Sequence, residues 1–200
     1  MPAYQDFEYA KPDFWNLKYK AGYTPWDLGG VPAEVAAWLA QNPGPGRILV
    51  PGCGAAYEIA TFAQSGWEVI GIDFSPEAVK QAHRVLDGHS DCVHLGDFFT
   101  YELEPGSFDA IYERCFLCSL PQKKWERYAK RAAELLKAGG QLFGTFLYGQ
   151  PQKEPPPLPM TPEEATALFQ SAFHFQEEAG IAQALPVFGG MERWQVWRKR

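Results

Sequence analysis

The residues with the most chemical content stand at the ends of short apolar runs. Val50-Pro51-Gly52-Cys53-Gly54 closes the run Arg47 to Val50, and Asp73 follows the run Trp67 to Ile72, 21 positions after Gly52. A glycine turn after a buried strand lets a nucleoside approach the backbone, while a carboxylate at the tip of the next strand accepts hydrogen bonds from both ribose hydroxyls. A dinucleotide seat would want a third glycine three positions after Gly54; Tyr57 stands there, which disfavours a pyrophosphate. A third run, Cys92 to Leu95, leads into Gly96-Asp97-Phe98-Phe99. There Asp97 would accept from an adenine amino group and Phe98 would pack on the ring; the plainer reading makes Asp97 a turn or cap residue. A fourth run, Phe108 to Tyr112, passes straight into Glu113 and Arg114. Glu113 would take the ammonium of a methionine moiety and Arg114 an anionic acceptor or a carboxylate, unless the two only pair with neighbours at the sheet edge.

Metal and general-base chemistry find less support. Cys115-Phe116-Leu117-Cys118 spells C-x-x-C, but a zinc ribbon needs a second pair and the sequence has none, so no metal is expected. Cys53, Cys92, Cys115 and Cys118 read as free thiols. His83, His89, His94 and His174 are scattered and read as surface or helix residues. No catalytic residue is named.

These positions need an alternating scaffold, and the sequence spells one. The four runs above and a fifth, Gln141 to Leu147, are continuously apolar, as strands covered on both faces must be. Between them the spacing predicts helices over Ala56 to Ser65, from Ser75-Pro76 to Asp87-Gly88, and over Gln122 to Lys137 ahead of Gly139-Gly140. Thr161-Pro162-Glu163-Glu164 is a capping box that opens a further helix. Phe173 to Ala179 and Arg193 to Arg198 read as two strands closing the sheet as an antiparallel pair, and Gln150 to Pro159 as a Pro-rich loop. The pattern is α/β with a mostly parallel sheet.

Composition narrows the partners. In 200 residues, 46% hydrophobic and 21% charged, the usage is ordinary for a globular chain, and aromatic content of 15% with seven Trp suggests a large core plus rings lining a pocket. A net charge of −6 with no basic arm argues against nucleic acid. No stretch approaches the roughly 20 apolar residues of a membrane span, and Met1 to Lys20 lacks the apolar core of a signal peptide. The expectation is one cytoplasmic domain over residues 1–200, monomeric or weakly oligomeric, with a small-molecule partner and neither nucleic acid nor membrane.

Trp15 with Tyr19, Thr24-Pro25-Trp26-Asp27, Val50-Pro51-Gly52-Cys53-Gly54, Gly71-Ile72-Asp73-Phe74-Ser75, Asp97-Phe98-Phe99 and the block Phe108 to Leu120 together resemble the thiopurine, thiol and halide methyltransferases over nearly the whole chain. The resemblance implies a Rossmann-like class I fold: a mostly parallel seven-stranded sheet, helices on both faces and an antiparallel C-terminal hairpin. It implies S-adenosyl-L-methionine as cofactor, S-adenosyl-L-homocysteine as product, and residues 1–30 as an aromatic arm over the cofactor. The cofactor-binding set it implies is Trp15, Tyr19, Trp26, Gly52, Gly54, Asp73, Phe74, Asp97, Phe98, Glu113 and Arg114, with Arg114 also near the acceptor. That acceptor would be a small soft nucleophile: a thiol, a thiopurine, a halide, thiocyanate, or an oxidised selenium or tellurium species. Two departures stand out. Glu154-Pro155-Pro156-Pro157-Leu158 replaces a frequent Gly-Pro-Pro-aromatic turn, and Tyr19 replaces a frequent Trp. The rival readings are a non-catalytic S-adenosylmethionine sensor and an NAD-dependent oxidoreductase sharing Gly52, Gly54 and Asp73.

Overall fold

The computed structural model describes residues 8–151 and 154–200; positions 1–7 of the expected arm and 152–153 of the Pro-rich loop lie outside the described residues. Strands β1 (Gly46–Pro51), β2 (Trp67–Asp73), β3 (Val93–Leu95), β4 (Phe108–Arg114), β5 (Leu136–Leu147), β6 (Phe173–Ala179) and β7 (Glu192–Lys199) form one sheet in the order β3-β2-β1-β4-β5-β7-β6. The pairs β1/β2, β1/β4, β2/β3 and β4/β5 are parallel; β7 lies antiparallel between β5 and β6. The chain moves outward one way from β1 to β3 and the other way from β4, so the order reverses between β1 and β4. In open α/β sheets that reversal leaves a crevice beyond the strand ends.

Both faces of the sheet are covered. Alternate residues of β1 divide between them, Leu49 entering one core and Ile48 and Val50 the other, which is why this strand reads as a continuous apolar run. One core takes its helical side chains from α2 (Ala33–Gln41), α3 (Tyr57–Gln64) and α4 (Pro76–Val85); the other takes them from α5 (Trp125–Leu135) and α6 (Pro162–Phe169). Much of the aromatic content is spent here. Trp38 of α2 stacks on Phe143 of β5 at 3.8 Å between centroids, and its indole N–H donates to Gln141 Oε1 at 2.8 Å.

Local grammar and the fold agree closely. Ser75 caps α4 by accepting the Ala78 N–H, with Pro76 at the first helical position, and Thr161 with Glu164 closes the capping box of α6. The third predicted helix ends early. After a 3-10 turn at Gln122–Lys124, α5 stops at Leu135, and Leu136 already belongs to β5 opposite Phe108. Beyond that end, Lys137 pairs with Asp109 of β4, its ammonium 2.8 Å from both carboxylate oxygens. Helix α4 likewise ends at Val85, short of Asp87-Gly88, with Leu86 extended and buried. Two helices carry no forecast: α1 (Pro12–Lys20), in the segment read only as an arm, and α2, which follows that segment.

One backbone approach sets the distance between β4 and β5. Gly144, at φ +134°, lies opposite Glu113, and a Cβ there would strike the Glu113 carbonyl oxygen. Gly144→Ala is therefore expected to lower unfolding free energy by about 3 kcal/mol, read as a lower denaturant midpoint at unchanged slope. An unshifted midpoint would mean that the strands have room to part.

Candidate functional site

The crevice at the reversal is a cavity of about 320 Å³ walled by the turns after β1, β2, β3 and β4 and covered by α1 and the segment that follows it. The turn after β1 alternates left-handed residues, Gly52 at φ +58°, Gly54 at +55° and Ala56 at +61°. A side chain at Gly52 would collide with the Phe116 ring. Ala56 and Cys115 are the two non-glycine residues with left-handed backbone among the described residues, and both line this cavity. Such conformations cost of order 1–3 kcal/mol each and persist where surrounding structure enforces them.

Asp73 closes β2 beside that turn, 7% exposed. One oxygen accepts the Gly54 N–H at 3.0 Å and the other the Ser75 N–H at 2.8 Å. Burial pushes its pKa up to about 6 against the pull of the Ser75, Gly54 and Phe74 N–H groups. Helix α1 docks at the same point: Asn16 Oδ1 accepts from the Ser75 hydroxyl at 2.7 Å, and Lys20 lies 3.9 Å from Glu77. This latch holds the aromatic arm over the cavity. Trp26 meets Trp15 edge-on at 5.2 Å and Tyr19 at 6.0 Å, and Trp15 donates to the Tyr9 carbonyl at 2.8 Å. All three expected rings line the cavity, as does Phe74.

Beyond β4 the cavity meets Arg114, whose Nε lies 3.7 Å from Glu58 Oε1 of α3. That oxygen also accepts from the Tyr112 hydroxyl at 3.3 Å. Burial raises the Glu58 pKa, with the Arg114 charge opposing it. Burial works against the Arg114 charge too, but Cys115, Tyr112, Glu58 and Glu192 hold the guanidinium more firmly protonated than usual. Arg114 Nη2 is buried and has no hydrogen-bond partner among the described residues.

The structure brings together ten of the eleven expected positions and turns one away. Glu113 does not line the cavity. It is 1% exposed and accepts from the Phe116 and Leu117 N–H groups at 2.8 and 3.0 Å and from the Tyr128 hydroxyl at 2.8 Å. Consecutive strand residues face opposite sides of a sheet, so Glu113 points to α5 while Arg114 points to α3. That alternation allows one of the pair, not both, into a site on one face. Asp97 lines the cavity with one oxygen already accepting the Phe99 N–H at 2.9 Å, as a turn residue does, and Phe98 is 2% exposed among Phe99, Phe116 and Tyr128. Sequence reasoning passed over Asn16 and Glu58, and took Cys115 only as a free thiol of a C-x-x-C without metal. Of the two missed, Glu58 carries a sequence signal, as a charge in the first turn of a mostly apolar helix.

Burial pushes the Glu113 pKa up to about 7, against the Leu117 N–H, the Tyr128 hydroxyl and the Phe116 N–H. The native state therefore holds this proton where the unfolded chain has lost it, and the contribution to stability falls as pH rises from about 4.3 to 7. Glu113→Gln keeps an acceptor for the two N–H groups and should remove that decline in urea midpoints. Glu113→Ala orphans three donors and should cost about 2–3 kcal/mol. Equal midpoints for the two variants would mean that the donors find other acceptors.

The donor set suits a nucleoside bearing a sulfonium better than one bearing a pyrophosphate. Three of the turn's N–H groups are already engaged, Cys53 on Ile72, Gly54 on Asp73 and Ala56 on Cys53, and so are not available to a pyrophosphate. Asp73 lines the cavity together with the rings of Trp15, Tyr19 and Trp26, and aromatic rings attract a cation. Comparison with known proteins agrees. The profile of the family Thiopurine S-methyltransferase (TPMT) matches residues 10–199. A probable thiol methyltransferase 2 of Arabidopsis thaliana is 30% identical over 192 residues, 92% of this chain and 84% of that protein. A thiopurine S-methyltransferase of Photobacterium profundum is 32% identical over 139 residues, 62% of this chain and 64% of the relative. The solved 1,6-didemethyltoxoflavin-N1-methyltransferase of Burkholderia thailandensis superposes with a TM-score of 0.75 at 18% identity, covering 100% of this chain and 91% of that one, which bears on the fold. The chain belongs to the thiopurine S-methyltransferase family and is an S-adenosylmethionine-dependent methyltransferase.

Proposed function

We propose that the chain methylates a small soft sulfur nucleophile, with the nucleoside of S-adenosylmethionine against Asp73 and the acceptor against Arg114. The observation that carries this reading is one cavity joining a buried carboxylate, bonded to backbone N–H groups, to a guanidinium nitrogen without a partner. Relatives named as thiol, thiocyanate and thiopurine methyltransferases support the acceptor class.

Bound S-adenosylmethionine supplies a methyl group on a positively charged sulfur. Gly52 and Gly54 keep the turn open; Asp73 would accept from the ribose hydroxyls and the second oxygen of Asp97 from the adenine amino group, with Phe74 and Phe98 lining the same wall. Trp15, Tyr19 and Trp26 exclude water from a reaction in which opposite charges neutralise, so drying both partners favours it. Arg114 holds the acceptor's negative charge in line. No residue need take a proton, because a thiol with a pKa near 8.5 is already a few per cent thiolate at neutral pH. We read the chain as a single cytoplasmic domain without nucleic-acid or membrane partners, monomeric or weakly associated. Its net charge of −6 and four free cysteines support this, as does the lack, among the described residues, of a helix long and apolar enough to cross a membrane.

Asp73→Ala is expected to weaken S-adenosylmethionine binding roughly 10- to 100-fold by calorimetry, through lost charge-assisted hydrogen bonds. In the parent protein, affinity should fall as pH drops below about 6, where Asp73 takes up a proton and accepts less well. Unchanged affinity in both experiments would remove Asp73 from the cofactor site. Across a panel of hydrogen sulfide, alkyl and aryl thiols, a thiopurine, thiocyanate and iodide, S-adenosylhomocysteine release is expected with sulfur acceptors. Arg114→Met should raise the acceptor KM about tenfold or more; an unaltered KM would place the acceptor elsewhere.

A further inference from the structure

Two thiols lie together in this cavity and have no part in methyl transfer. Cys115 is half-buried and Cys118 is 7% exposed, and both line the acceptor end beside Arg114. They face each other across one tight turn. Cys118 Sγ lies 3.3 Å from the Cys115 carbonyl oxygen, and the chain between them enters a 3-10 turn at Leu117–Ser119. The Cys115 side chain and burial both raise the Cys118 pKa well above its usual value, in keeping with two cysteines three residues apart that line one cavity wall. Cys115 holds the strained left-handed backbone at φ +63° noted above.

Metal binding is the weaker reading of this pair. No group of three or more His, Cys, Asp or Glu side chains is placed to hold a metal ion among the described residues. Two cysteines three residues apart on one cavity wall, Cys115 half-buried and Cys118 more deeply buried, match instead the division between an attacking and a resolving cysteine.

We propose that Cys115 and Cys118 form a reversible intrachain disulfide on exposure to hydrogen peroxide, and that the bond disables the acceptor end of the cavity. The Cys115 thiolate attacks the peroxide, forming an S–O bond as the O–O bond breaks and hydroxide leaves as water. The Cys118 sulfur then attacks the Cys115 sulfur; the S–S bond forms, the S–O bond breaks, and the departing hydroxide takes the Cys118 proton as a second water. Two thiols lose two electrons and one peroxide gains them.

The segment after β4 is tied at two points, so the bond must distort what lies between. Glu113 holds the Phe116 and Leu117 N–H groups, and the Cys118 carbonyl accepts from Leu158 of the Pro-rich loop at 2.8 Å. A disulfide needs its sulfurs at about 2.05 Å, so Cys118 Sγ must leave the Cys115 carbonyl, and the displacement falls on Cys115, which stands between Arg114 and the Phe116 ring packed on Gly52. Loss of function through Arg114 rests on the acceptor reading given above; formation of the bond does not.

The experiment treats the full chain with hydrogen peroxide, removes the peroxide, blocks free thiols with N-ethylmaleimide in denaturant so that buried cysteines react, and digests with trypsin without reductant. Cleavage after Arg114 and Lys123 puts both cysteines in one peptide, Cys115 to Lys123. The expected peptide is lighter by two hydrogens, carries no maleimide, and reverts with dithiothreitol, while Cys53 and Cys92 remain blockable. Turnover should fall at least tenfold in step with the linked peptide and return on reduction. In Cys118→Ser, the expected product is a Cys115 sulfenic acid trapped by dimedone, without linkage. Recovery of the wild-type peptide with both thiols blocked, or a linked peptide with unchanged turnover, would overturn the proposal. If no acceptor on the panel turns over, the mass of the peptide still decides whether the bond forms, and the acceptor reading fails separately.

Discussion

The Asp73 carboxylate spends one oxygen on the Gly54 N–H and the other on the Ser75 N–H, and so ties the glycine turn after β1 to the head of α4. Ser75 passes the tie on, accepting from Ala78 to cap the helix and donating to Asn16 to dock α1. Three walls of the cavity are thus registered on one side chain. The arrangement costs stability: a carboxyl shifted from 3.8 to about 6 by burial lowers stability by about 3 kcal/mol once ionised, a loss that sets in as pH rises through that window. Hydroxyl donors arriving from a ribose would offset part of it, so occupancy and local stability should rise together.

At the opposite end the balance of charge is different. Arg114 is flanked by Glu58 at 3.7 Å and influenced by Glu192, so its positive charge is largely answered inside the protein, yet one nitrogen keeps unspent hydrogens. Such a group offers directed donors without a strong net field. It suits a small, soft, singly charged nucleophile better than a multiply charged anion, whose charge would meet the two carboxylates as well.

How much of this the sequence disclosed follows the range of the forces involved. The Gly52-Gly54 turn, Asp73 at its strand tip, the Ser75 and Thr161 caps and the C-terminal strand pair each show in the residue pattern of their own segment, and all are legible. Helix α1 is not, because it buries no residue fully and is held by Asn16, Lys20 and ring edges that meet partners in distant segments. The early end of α5 is equally remote, since Leu136 already pairs with Phe108 of β4. Glu113 and Arg114 illustrate the middle case: adjacency drew both into the expected site, whereas strand alternation admits one, and only the packing of Tyr128 against Glu113 decides which.

The central claim is that alignment and drying, with no protein base, carry methyl transfer to a thiol. It is tested most directly by kcat/KM against pH above 7, where Asp73 is already ionised, for an alkyl thiol and a more acidic aryl thiol. The account predicts rising limbs that level off at each acceptor's own thiol pKa and therefore differ between the two. A shared inflection, independent of the thiol, would reveal a proton-accepting group on the enzyme and contradict it.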